Sequence, residues 1–135
     1  MTRSGLVVLA LSAVLVAAGC DHDSYDGSPL AVHDGTWNGD DAAVEGRLVE
    51  EHGCVVLLVE YPEQDGSRLL PIFAEDGLRW NVLSQIVSVK GEDYKLGDRV
   101  RFGGSAWGPD LPSGTKWVNA PSSECRYAAF WGVAD

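Results

Sequence analysis

From Ala42 onward the chain runs as short apolar stretches separated by turn residues, and no segment sustains a 3.6-residue period long enough for a helix. Val44, Gly46 and Leu48 alternate with Glu45, Arg47 and Val49, the pattern of a half-buried strand. Glu51-His52-Gly53 is a tight-turn candidate. Cys54 to Val59 then follows as an almost continuous β-branched and aliphatic run, which predicts a central strand covered on both faces. Tyr61-Pro62 ends it, and Gln64-Asp65-Gly66-Ser67 turns the chain. Leu69 to Phe73 is a third strand containing Pro71, whose missing N–H favours an edge or a bulge.

After a turn at Asp76-Gly77, Leu78, Trp80 and Val82 alternate with Arg79 and Asn81. Past an irregularity at Leu83-Ser84, Val87 and Val89 alternate with Ile86, Ser88 and Lys90. This predicts one long bent strand or two short ones. Gly91 to Asp98 reads as a polar link pinned to the core by Tyr94 and Leu96. Val100 and Phe102 point inward between Arg99 and Arg101, and Gly103-Gly104 marks a bulge or sharp bend. Ser105 to Thr115 is the longest stretch of turn chemistry and the expected exposed loop. A short strand over Lys116 to Ala120 and a single helical turn opening at Pro121 to Cys125 come next, and Tyr127, Ala129, Trp131 and Val133 pattern the last strand. Five or six short strands without βαβ units predict a mainly β domain, a small closed or partly closed antiparallel barrel of OB-like form, with a β-sandwich as the alternative.

The N-terminal segment is built differently. Arg3 lies in a short polar head, Leu6 to Ala18 is apolar apart from Ser12, and the run ends at Ala17-Ala18-Gly19-Cys20. At ~1.5 Å per residue such a run reaches about 20 Å, short of a hydrocarbon core of about 30 Å. The segment resembles the signal peptide of bacterial lipoproteins, in which small residues precede an obligatory cysteine. That resemblance implies removal of residues 1–19, lipid modification of Cys20 and a membrane partner reached through that anchor. The ordinary secretory signal is the alternative.

Asp21 to Asp41 carries six acidic residues and no Lys or Arg. With few aliphatics it reads as a flexible acidic tether over residues 20–41, ahead of a domain over 42–135, with Trp37 as its first docking point. Asp21, Asp23 and Asp26 do not meet the EF-hand spacing, and neither His22 nor His33 has a ligand spacing that fixes a metal geometry. The formal net charge is −10. An acidic chain without a Lys/Arg cluster repels phosphate backbones, so no nucleic-acid partner is expected.

The mature domain also resembles small secreted or lipid-anchored bacterial proteins of unknown function, through Gly53-Cys54, Leu96 to Val100, Gly103-Gly104 and Cys125. That group carries no transferable activity. With Cys20 assigned to lipid, Cys54 and Cys125 remain as an even pair in an oxidising compartment, and a disulfide is the economical reading beside two buried thiols.

Gly103 and Gly108 have a P-loop gap, but Pro109-Asp110 replace the required Lys and Ser/Thr. His52 neighbours Glu50 and Glu51 without a nucleophile motif. No catalytic residue, metal site or cofactor is implied. Trp107 in the Gly/Pro-rich loop, and Trp117 after it, are the candidate binding residues, with Trp107 folding back over the open end of the barrel as the structural alternative. The expectation is a lipid-anchored envelope protein with a non-catalytic binding domain for an envelope protein or glycan. The alternative is an envelope enzyme or enzyme inhibitor with a loop-built site.

Overall fold

The computed structural model describes residue 25 and residues 27–36, 42–61 and 66–134. The apolar run before Cys20, Cys20 itself and Trp37 lie outside the described residues. The described residues form ten strands: β1 (Ala31–His33), β2 (Ala42–Glu51), β3 (Cys54–Tyr61), β4 (Arg68–Ala74), β5 (Leu78–Asn81), β6 (Ile86–Val89), β7 (Glu92–Lys95), β8 (Arg99–Trp107), β9 (Trp117–Asn119) and β10 (Ala129–Val133).

Five of them close a small barrel. β3 pairs with β2 and β4, β8 pairs with β2 and β10, and β10 returns to β4 to complete the circuit. The order β2-β3-β4-β10-β8 is that of an OB-like Greek-key barrel. Four of its seams are antiparallel. The fifth, Ala129↔Leu69 to Gly132↔Ile72, is parallel, so the barrel is mixed rather than wholly antiparallel. A parallel seam needs a crossover, and the chain between β4 and β10, residues 75–128, supplies it; its last part, residues 108–128, joins β8 to β10.

Alternation explains how the wall divides two cores. Val55, Leu57 and Val59 of β3, Phe73 of β4, Val100 and Phe102 of β8, and Trp131 and Val133 of β10 fill the interior. Cys54 and Val56, Leu70 and Ile72, Trp107 and Phe130 point outward into a second cluster closed by Leu111, Trp117 and Cys125 of the crossover. The two-sided apolar pattern of β3 is therefore satisfied: one face meets the barrel interior and the other the crossover.

The interior is capped by a separate meander, β5-β6-β7, where the sequence predicts one or two strands and a polar link. The link is itself β7. Lys90 and Gly91 both have positive φ, 46° and 87°, and form the two-residue turn joining β6 to β7. Leu78 and Val87 are buried beneath the meander, and Tyr94 packs edge-on against Phe102 with ring centroids 4.9 Å apart. The expected helical turn at 121–125 is a reverse turn closed by Cys125 N–H to the Ser122 carbonyl, 3.1 Å.

The spacer expected over 20–41 requires correction within its described part. Leu30, Ala31, Val32 and His33 are all buried, and β1 is a stave of the sheet. The cause is a gap in the wall: β3 and β4 pair only at Leu57↔Leu69 and Leu58↔Arg68. Beyond that point Val55 N–H donates to the Pro29 carbonyl at 2.9 Å, while β1 runs parallel to β4 from Ala31↔Ile72. Pro71 sits where the ladder passes from β3 to β1, a place with little use for its missing N–H. Asn119 Nδ2 fastens the segment from the other side, donating to the carbonyls of Leu30 (2.7 Å) and Ser28 (3.1 Å). Burying Leu30 and Val32 contributes about 1.5–3 kcal/mol each, which offsets the ordering of an otherwise polar stretch.

Candidate functional site

The two cysteines left after Cys20 are joined: Cys54 and Cys125 form a disulfide with Cα atoms 5.8 Å apart. It ties the first residue of β3 to the crossover and holds the crossover over the outer apolar cluster. Both sulfurs belong to that cluster, with Cys54 buried and Cys125 half-buried.

Trp107 is not an exposed anchor. It is the last residue of β8 and only 8 % exposed. Parity turns its ring to the outside of the barrel, where the indole covers Gly132 and meets the His33 ring edge-on at 5.5 Å between centroids. The turn chemistry that made it look loop-borne begins one residue later, at Gly108. It folds back, as the structural alternative expected, but over the outer wall of β10 rather than an open end. His33 is likewise a packing residue: it is buried, and its Nδ1 accepts from Gly35 N–H at 3.0 Å.

Trp117 is placed differently. It is half-buried on β9, edge-on to Phe130 at 5.8 Å. Tyr127 stacks on the same Phe130 at 5.2 Å with the rings tilted by 37°, and is 36 % exposed. Two aromatic side chains at the surface thus share one buried ring, on a crossover fixed by the disulfide. Tyr127 was not singled out by its sequence position, because it reads as the first alternating residue of the last strand. That strand begins two residues later, at Ala129.

A second surface feature lies on the neighbouring wall. Glu51, His52, Arg68 and Arg126 line one cleft. The carboxylate beside His52 is committed elsewhere: Glu51 Oε2 accepts from Arg68 Nε at 2.6 Å and Oε1 from Nη2 at 3.3 Å. The Arg68 hydrogen bond holds the Glu51 carboxyl below its ordinary range, and Glu51 in turn raises Arg68. His52 occupies a left-handed turn position at φ 52°. Neither neighbouring glutamate hydrogen-bonds to its side chain, so no base with an orienting carboxylate is assembled among the described residues.

Nearer the start of the same strand β2, Arg99 reaches Glu45 (3.4 Å) and Glu60 (3.1 Å), and Arg101 reaches Glu45 (3.3 Å). These pairs are solvent-exposed and contribute little to stability. Among the described residues no three His, Cys, Asp or Glu side chains converge in a way that could hold a metal. No protein-family model, curated protein or solved structure matches the chain.

Proposed function

We propose that this chain is a lipid-anchored protein of the bacterial cell envelope whose barrel is a non-catalytic interaction module. The lipobox-like end at Cys20 supports the location, and a Cys54–Cys125 bridge is in keeping with an oxidising compartment. The observation that carries the interaction reading is the aromatic surface of Trp117 and Tyr127 on Phe130. Tyrosine and tryptophan with a rigid backing are the residue types that dominate binding energy at interfaces and stack on sugar rings. Arg126, adjacent in sequence, adds the third such type.

The test is crosslinking in living cells from a photoreactive residue at Val118, which is exposed beside Trp117. A discrete adduct that disappears in W117A and Y127A, with the fold intact by circular dichroism, supports the reading. An unchanged adduct in both variants overturns the assignment of this surface. Location is tested separately through Cys20→Ala, which should abolish labelled fatty-acid uptake and release the chain from membranes.

A further inference from the structure

The meander that caps the barrel carries a surface unlike the rest of the molecule. Residues 80–89, WNVLSQIVSV, contain no charged side chain, although 22 % of the chain is charged. They are all of the β5–β6 hairpin but its first two residues, Leu78 and Arg79, and its tip exposes Val82 at 71 % and Leu83 at 95 %. Core packing has no use for these two residues. The tip is held in shape: Asn81 Oδ1 accepts from the N–H groups of both Leu83 and Ser84 at 3.0 Å, fixing a turn that presents two apolar side chains to solvent. The first charge along the sheet from the tip is a cation, Lys95, paired with Ile86. The next register, Trp80↔Val87↔Tyr94, has none.

The position of the N-terminus gives this tip a partner. Tyr25 is buried and its hydroxyl donates to the carbonyl of Leu78, the first residue of the same hairpin. Tyr25 stands five positions after Cys20, and an extended chain spans at most ~3.6 Å per step, roughly 18 Å in all. The hairpin from Leu78 to Val82 is about 13 Å long on the strand rise of ~3.3 Å. A lipid on Cys20 therefore keeps the bilayer surface within reach of the tip. The spacer that would have held the domain away is taken up by the fold, because residues 30–33 are buried in the wall.

We propose that the Val82–Leu83 tip inserts into the membrane interface as a second contact, seating the barrel on the bilayer by its meander-capped end. The inference rests on the lipid-anchor reading of Cys20. Insertion suits an acidic chain better than surface attraction does: with Arg3 removed, the formal charge of −10 becomes −11, which an anionic bilayer repels. Uncharged backbone with apolar tips and a cation at the shoulder meets the interface without burying a charge. A tip that docked on a protein instead would remain in water when the chain is alone on a vesicle.

The test uses the full lipidated chain, purified from membranes and reconstituted in phosphatidylethanolamine/phosphatidylglycerol vesicles. Ser84→Cys supplies one free thiol for an environment-sensitive fluorophore, since Cys54 and Cys125 are bonded to each other. The control label goes at Tyr61→Cys, which is exposed at the far end of β3. The expected result is blue-shifted emission and quenching by brominated lipid at position 84 but not at 61. Both signals should survive high salt and be lost when V82D and L83D are added. Equal water exposure at 84 and 61 on a vesicle-bound chain overturns the insertion and leaves the anchor intact. A chain that takes up no fatty acid and does not sediment with vesicles overturns both, and the lipid assay identifies that case.

Discussion

Gly132 lies flat beneath the indole of Trp107, so close that a Cβ there would overlap Cε2 and Cζ2 and stand 2.8 Å from Nε1. The relationship fixes both partners. Trp107 can cover the outer wall only because β10 has no side chain at that point. Nor can the ring easily yield, since its neighbour His33 is itself buried between β4 and β9.

Gly132→Ala is therefore expected to destabilise the fold by about 1–3 kcal/mol, the usual cost of overpacking a filled site. The matched control is Gly108→Ala, where an added Cβ meets nothing within 4 Å. Urea denaturation of both variants measures the difference. Equal midpoints would mean that the Trp107 ring is free to leave Gly132.

The disulfide closes a loop with a sequence separation of 71. Chain entropy assigns such a closure about 4 kcal/mol, a large share of the stability of a domain this size. The double variant C54A/C125A should show a correspondingly lower urea midpoint, and reductant should lower the wild type but not the variant. Hydrogen exchange should then quicken first in residues 108–128, which lose their covalent tie, ahead of β2 and β3.

Acid should weaken the tie between β2 and β4 that Glu51 makes with Arg68. Its folded carboxyl is held below the ordinary value by the Arg68 hydrogen bond. The stability it supplies is present above the unfolded carboxylate pKa and is lost as pH falls through the lowered folded value. Because both side chains are substantially exposed, the effect is small. Glu51→Gln should flatten the acid limb of a stability–pH curve measured by urea denaturation, while leaving the limb above neutrality unchanged.

Alkali should act through Tyr94. Burial, with a hydrogen bond to Glu92 at 2.7 Å, pushes its hydroxyl up to about 12. The unfolded chain gives up that proton near pH 10, so the contribution is complete below that pH and is lost as pH rises from there through about 12. Phenolate absorbance should show a late-titrating component that is lost in Tyr94→Phe. The variant should lose less stability between neutral pH and the alkaline range than the parent does.

Periodicity carried the barrel well because its strands are long enough to alternate. β3 declared itself by being apolar on both faces, and that pattern needed two cores, which the crossover and the interior provide. Short elements left no such trace. β1 and β9 have three residues each, and β1 lies among aspartates and glycines. Its burial is decided by the partners Ile72 to Ala74 and Trp117 to Asn119, far away in sequence. Trp107 misled for a related reason: the glycine it covers is 25 residues downstream, and the Gly-Pro that follows it is local and conspicuous. At the candidate surface, Trp117 was legible as a tryptophan that no alternating pattern placed on an inward face. Tyr127 was not, because only the fold shows that it precedes β10 and shares Phe130.

The parallel seam also dictates the order in which the molecule can be completed. β4 finds its barrel neighbour β10 only after more than fifty further residues have been supplied, so a nascent or truncated chain lacking β10 leaves β4 and β8 with bare edges. Such edges invite pairing with other chains. No early fragment can close the ring, and the high sequence separation of its contacts makes closure slow. A polypeptide with this connectivity stays threadable until its final strand is available, and is most in need of protection from aggregation in that interval.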